Sequence, residues 1–139
     1  MRTFREYFAE SSIPDKYSHI NFKPPSGVAK AAELGLRYRK EASPSNKGGL
    51  DVRQAKKMGI GSGVQRAVNL KNRDTMSPET VRRMKAFFDR HSAFVKNHDK
   101  QNPNRSYISW LIWGGDPGYS WAKKVVNQMN AADKKEKNK

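Results

Sequence analysis

The chain has no cysteine, only three histidines, and 13 acidic residues against 28 lysines and arginines in 139 positions. Without cysteine there is no disulfide framework, no thiolate metal site and no thiol nucleophile, which fits a reducing compartment. No apolar run approaches the ~18 residues of a membrane span. The N-terminus lacks the continuous apolar stretch of a secretory signal, so the chain reads as soluble and intracellular, with no membrane partner. His19, His91 and His98 show no metal-ligand spacing. The acids (Glu33, Glu41, Asp51, Asp74, Asp99 and others) are scattered as caps or surface residues, whereas a metal-dependent nuclease needs clustered carboxylates. Gly59-Ile60-Gly61-Ser62-Gly63 has the look of a phosphate loop but lacks the preceding strand and the Gly-Lys-Ser/Thr ending. The expectation is a protein that is not an enzyme and that calls for no metal and no cofactor.

What the chain does have is charge of one sign. The net charge is +15, all of it after residue 22, because residues 1 to 22 hold three side chains of each sign. A surplus of roughly 2 to 8 suffices for solubility in a small domain. A larger one repels itself and costs stability, which an anionic partner relieves. Nucleic acid is the first candidate, since phosphate neutralisation releases counterions and supplies affinity without regard to sequence. Residues 37 to 85 hold 13 basic and 4 acidic side chains. The expected phosphate contacts are Arg37, Arg39 and Lys40 on one segment and Arg53, Lys56 and Lys57 on the next. Arg66, Asn69, Lys71 and Arg73 follow, and then Arg82, Arg83 and Lys85.

Periodicity predicts an all-α domain, a single bundle of five or six short helices around a tryptophan-rich core, with no convincing strand. Phe4, Tyr7 and Phe8 stand at i, i+3 and i+4 in an amphipathic opening. Ser11 to Pro25, with three prolines, reads as an extended linker, so residues 1–25 form a leader and linker before a basic helical domain at 26–130. Ser26 is placed to cap a helix running to about Ala42, and Ser43 to Gly49 is a loop. Two capping boxes follow, Asp51 with Gln54 and Ser62 with Gln65. Ser77 and Pro78 open a longer helix with Val81, Met84, Phe87, Phe88 and His91 on its apolar side. Tyr107 to Trp113 forms an element ended by Gly114 and Gly115, and Asp116 with Pro117 caps the last helix. Residues 131–139 read as a disordered basic tail.

Trp110, Trp113 and Trp121 could stack nucleobases, but they flank a glycine turn beside Leu111, Ile112, Val125 and Met129, and are assigned to the core. Residues 51 to 73 offer a helix-turn-helix alternative: Ala55 and Gly59 have the required spacing, and Gln65, Arg66, Asn69 and Arg73 suit base edges and phosphates. The pattern departs from that motif at Gln65, which stands where an apolar residue is expected.

Four blocks together resemble a small helical domain of phage and prophage proteins. They are a basic helix near Gly27-Val28-Ala29; Gly61-Ser62-Gly63-Val64-Gln65-Arg66-Ala67 with Asn69-Leu70; Ser77-Pro78-Glu79-Thr80-Val81-Arg82-Arg83-Met84; and Trp110-Leu111-Ile112-Trp113-Gly114-Gly115-Asp116-Pro117-Gly118. The resemblance spans roughly residues 26 to 125 and implies a phage context, not a reaction. Met1 to Glu10 is similar to the capsid-targeting leader of internal head proteins of contractile-tailed phages, which implies cleavage after the Phe8-Ala9-Glu10 triplet and a place in the virion interior. The expectation is a phage-encoded nucleic-acid-binding protein, its partner double-stranded DNA, with phage head proteins as further partners. The alternatives are a virion assembly protein binding an acidic protein, a helix-turn-helix regulator, and a host-targeting inhibitor.

Overall fold

The computed structural model describes residues 13–42, 63–95 and 105–137. Among them a 3-10 turn, Asp15–Tyr17, precedes five α-helices: α1 Ser26–Glu41, α2 Gly63–Lys71, α3 Pro78–Val95, α4 Arg105–Ile112 and α5 Gly115–Lys137. The described residues contain no strand. The chain is all-α, as the periodicity predicts. The loop at 43–49, the capping pair Asp51 and Gln54, Ser62 and the aromatic opening at Phe4 lie outside the described residues.

Each helix follows from its apolar spacing and its ends. On α1, Val28, Ala32 and Gly35 line one buried stripe, the i, i+4, i+7 pattern of a helix lying on a core. Ser26 is the first helical residue and not the cap that the sequence implies. Pro25, extended at φ −65 and ψ 163, takes the cap position with no side-chain hydrogen bond, since its fixed φ and missing N–H already suit a helix entrance. On α3 the expected cap is present, the Thr80 amide donating to Ser77 Oγ at 3.1 Å. Val81, Met84 and Phe88 are fully buried along it.

The turn between α4 and α5 depends on glycine. Gly114 (φ +120) and Gly115 (φ +64) both take positive φ, and a Cβ on Gly114 would lie 3.0 Å from Gly118 Cα and from Val28 Cγ1. Only glycine enters such a turn without strain. Asp116 is not a plain cap: α5 begins one residue earlier, and the Asp116 carboxylate accepts the Trp110 indole N–H at 2.9 Å. Trp110 and Trp121 are buried in a core that includes Phe88, Ile108, Ile112 and Met129, whereas Trp113 is only half-buried at its edge.

Two segments depart from expectation because tertiary partners hold them. From residue 13 the supposed linker packs on the core through Tyr17, Ile20 and Phe22, and the Met76 amide donates to the Phe22 carbonyl at 2.9 Å. At the other end α5 stays helical to Lys137, through residues expected as a frayed tail. Asp133 joins the two ends. It accepts from the Tyr17 hydroxyl at 2.6 Å and pairs with Lys16 at 3.0 Å and Arg82 at 3.2 Å.

The hydrogen bonds from Tyr17 and Lys16, and then the Lys16 and Arg82 charges, hold the Asp133 carboxyl below its ordinary value. A carboxyl depressed by folding stabilises the folded state at pH above its unfolded value of ~4, and that contribution disappears as pH falls through the lower folded value. Asp133→Asn is therefore expected to lower stability at neutral pH and to flatten the acid limb of the stability curve below about pH 4. Denaturant titrations across pH check this; parallel curves for the two proteins would show that Asp133 does not hold the ends.

Candidate nucleic-acid interface

Most of the residues that the sequence nominates fall into three groups. Arg53, Lys56, Lys57 and the leader residue Glu10 lie outside the described residues. A second group is exposed: Arg37 and Lys40 on α1, and Lys71 at the end of α2, with Arg39 half-buried beside them. The third group is engaged within the fold. Arg82 reaches Asp133 and donates to Asn130 at 3.2 Å, so it fastens α3 to α5. Arg83 pairs with Glu79 at 2.7 Å, and Lys85 pairs with Asp89 at 2.7 Å, each one helical turn apart. Exposed pairs of this kind contribute at most about 1 kcal/mol, so Arg83 and Lys85 can exchange a carboxylate for a phosphate. Arg82 cannot without loosening the chain ends.

Within α2 the buried face is Gly63, Ala67 and Leu70, which leaves Gln65, Arg66 and Asn69 half-buried beside it. Gln65 Nε2 donates to Asn69 Oδ1 at 3.2 Å. These are the side chains a reading helix would need for base edges, and here they meet each other. Arg73, in the left-handed region at φ 56, donates from Nε to the Pro24 carbonyl at 2.9 Å and ties the end of α2 to the entrance of α1.

Among the described residues, Arg66 is the one nominated cation seated on an aromatic surface. Its Cζ lies 4.2 Å from the Trp113 ring centre. Trp113 stacks on Phe87 at 4.4 Å with an interplanar angle of 7°, and His91 adjoins Phe87 at 4.5 Å. Side chains from α2, α3 and the α4–α5 turn thus form one continuous stack. Burial, and secondarily the positive charge of Arg83, lowers the proton affinity of Arg66. Its guanidinium nevertheless remains charged at any physiological pH. Among the described residues no hydrogen bond or ion pair engages it.

Sequence reasoning overlooked α5. Lys123 lies 4.2 Å over the Tyr119 ring, whose hydroxyl donates to Asp89 at 2.6 Å. Lys124, Lys134, Lys135 and Lys137 are exposed along the same helix. The i, i+4 spacings of Glu79 with Arg83, of Lys85 with Asp89 and of Tyr119 with Lys123 are legible signals of pairing; nothing local marks the seat of Arg66 on Trp113. No group of three His, Asp or Glu among the described residues is placed to hold a metal ion. A depression lined by Asp15, Lys16, His19, Lys135 and Glu136 carries both signs of charge and does not converge on a reacting group. No described helix is long and apolar enough to cross a membrane.

Comparison of the chain with protein-family models, with curated proteins and with solved structures returned no match.

Proposed function

We propose that the chain is a phage-encoded, basic nucleic-acid-binding protein that contacts mainly phosphate, with double-stranded DNA as its partner and a place inside the phage head. The observation that carries this reading is how the fold uses its few acids. Glu79, Asp89, Asp116, Asp133 and Glu136 each engage a partner within the molecule. Part of the negative charge is thereby taken up internally, while Arg37, Lys71 and the α5 lysines stay exposed. A surface with this imbalance favours a polyanion. The phage context rests on the sequence blocks and on the resemblance of Met1 to Glu10 to a head-protein leader. Mass spectrometry of purified particles tests it, a copy beginning at Ser11 being the expected result.

Helix-turn-helix readout has less support, since Gln65 and Asn69 meet each other and Arg66 lies on Trp113. Binding to duplexes of unrelated sequence should therefore be alike and fall steeply with salt, the log-log slope growing by about 0.9 per phosphate neutralised. Arg37→Ala with Lys71→Ala should weaken every duplex evenly and reduce that slope by about two. Fluorescence anisotropy over a salt series measures both. Absence of binding at low salt would point to an acidic protein partner, and selection of one defined site from random duplexes would mean sequence-specific regulation.

A further inference from the structure

A small cavity that the proposed DNA contacts leave unused lies where the entrance of α5 meets α1 and α4. Its walls are Ala31 from α1, Tyr107, Trp110 and Leu111 from α4, and Asp116 and Pro117 from the first turn of α5, around a space of about 130 Å³. That turn closes tightly on α1: Gly115 has φ +64, and a Cβ built there would stand 2.9 Å from Ala31 Cβ. A wall packed this closely has its shape before a ligand arrives. Tyr107, Trp110 and Leu111 are buried, whereas Asp116 and Pro117 are exposed, so aromatic and apolar groups form the floor and a carboxylate stands at the rim. The Trp110 indole N–H donates to Asp116 Oδ1 at 2.9 Å and fixes that carboxylate in place. Burial, and after it the neighbouring Tyr38 and Asp116 groups, raise the proton affinity of the Tyr107 phenol.

The chemistry of the lining selects the ligand. A carboxylate beside apolar walls repels a phosphate and attracts a cation more strongly than it would in water. A hard metal ion asks for about six or more oxygen ligands, and the walls carry one carboxylate. A guanidinium pairs best through parallel bonds to both oxygens of a carboxylate, and here the indole already holds Oδ1. A primary ammonium needs a single lone pair, of which a carboxylate has about four. Its methylenes can lie on Leu111 and on the two aromatic side chains, and aromatic rings also attract cations.

We propose that this cavity binds a primary alkylammonium group, with Asp116 as its counter-ion and Tyr107, Trp110 and Leu111 as the seat of its carbon chain. The site is independent of the nucleic-acid reading and stands or falls without it. Its test is a titration of the whole chain with n-butylammonium chloride, followed through the Trp110 Nε1–Hε1 and Tyr107 ring resonances, with potassium chloride at equal ionic strength as the reference. Both should shift saturably at millimolar concentration, a strength within reach of a ligand of about five non-hydrogen atoms. n-Butanol, with the same carbon chain and no charge, should leave them unmoved. Asp116→Asn keeps an oxygen for the indole and removes the charge, so it should melt with the parent and bind n-butylammonium at least about tenfold more weakly, the scale of a hydrogen bond to a charged group. Nα-acetyl-lysine amide presents the same group as a protein does. If it binds as well as n-butylammonium or better, the natural ligand is a lysine side chain; if the free amine binds alone, it is a small amine. Equal shifts with potassium chloride, n-butanol binding as tightly as the amine, or a folded Asp116→Asn chain that binds like the parent would each overturn the site.

Discussion

Phe88→Ala is expected to cost about 3 to 5 kcal/mol, the range for deleting a large buried aromatic. Phe88 is fully buried and lies where three helices converge. It meets Trp110 edge-on at 4.8 Å, stacks with Tyr119 at 5.1 Å, and touches Phe87 on its own helix at 5.6 Å. Its ring also stands at the space a Gly118 side chain would need, Cζ lying 3.2 Å from an added Cβ. Loss of the ring therefore leaves a cavity bounded by rigid aromatics and helix backbone, which cannot collapse to fill it. Native domains are stable by only about 5 to 15 kcal/mol, so the variant should melt on the order of 10 to 20 °C lower. Circular dichroism checks the temperature, and the near-ultraviolet tryptophan signal should weaken with it. A cost below about 1 kcal/mol would place Phe88 outside the core.

The second large effect is expected at Gly35. An added Cβ there would lie 2.8 Å from the Ile112 backbone nitrogen, 2.8 Å from Leu111 Cβ and 3.0 Å from the Leu111 carbonyl carbon. These are backbone and near-backbone atoms of α4, which cannot swing aside as a side-chain tip can. In an open helix Gly→Ala gains about 1 kcal/mol in helix propensity; here the sign should reverse. Gly35→Ala should lose about 1 to 3 kcal/mol through overpacking. Gly35→Val, larger and stiffer at χ1, should lose more than about 3 kcal/mol or fail to fold. Denaturant unfolding of the two variants measures this, and an Ala variant more stable than the parent would show that α1 and α4 do not cross so closely.

How much of this was legible beforehand depended on whether the cause was local. The Ser77 cap, the Val81, Met84 and Phe88 stripe, and the Gly114-Gly115 turn all follow from neighbours a few residues away, and sequence reasoning finds them. Ser26 was misplaced by one position because Pro25 ahead of it is the better helix entrance. The packed segment from residue 13 and the helical end of α5 were missed for a different reason. The end of α5 is polar and unpatterned taken alone, and the segment from residue 13 carries its apolar residues without a helical or strand period; both are held by distant partners and meet at Asp133. For the candidate site, composition identified the charge correctly but not its disposition. It ranked Arg82 with Arg83 as phosphate contacts, whereas Arg82 is tied to Asp133. It assigned Trp113 to the interior, whereas that ring carries Arg66 at the rim. A cation and its aromatic seat 47 residues away leave no periodic mark on the chain.

The contact between Tyr17 and Asp133 spans 116 positions of chain. Closing so long a loop is entropically unrewarding until the intervening helices are in place, so this contact should be among the last to form. It also brings both ends of the described body to one spot. A pull applied through those ends meets the Lys16, Tyr17 and Asp133 contacts one after another, in the manner of a zipper, and never loads them in parallel as a shear would. Under tension the molecule should therefore peel from this corner at low force, with the Phe88-centred interior still closed.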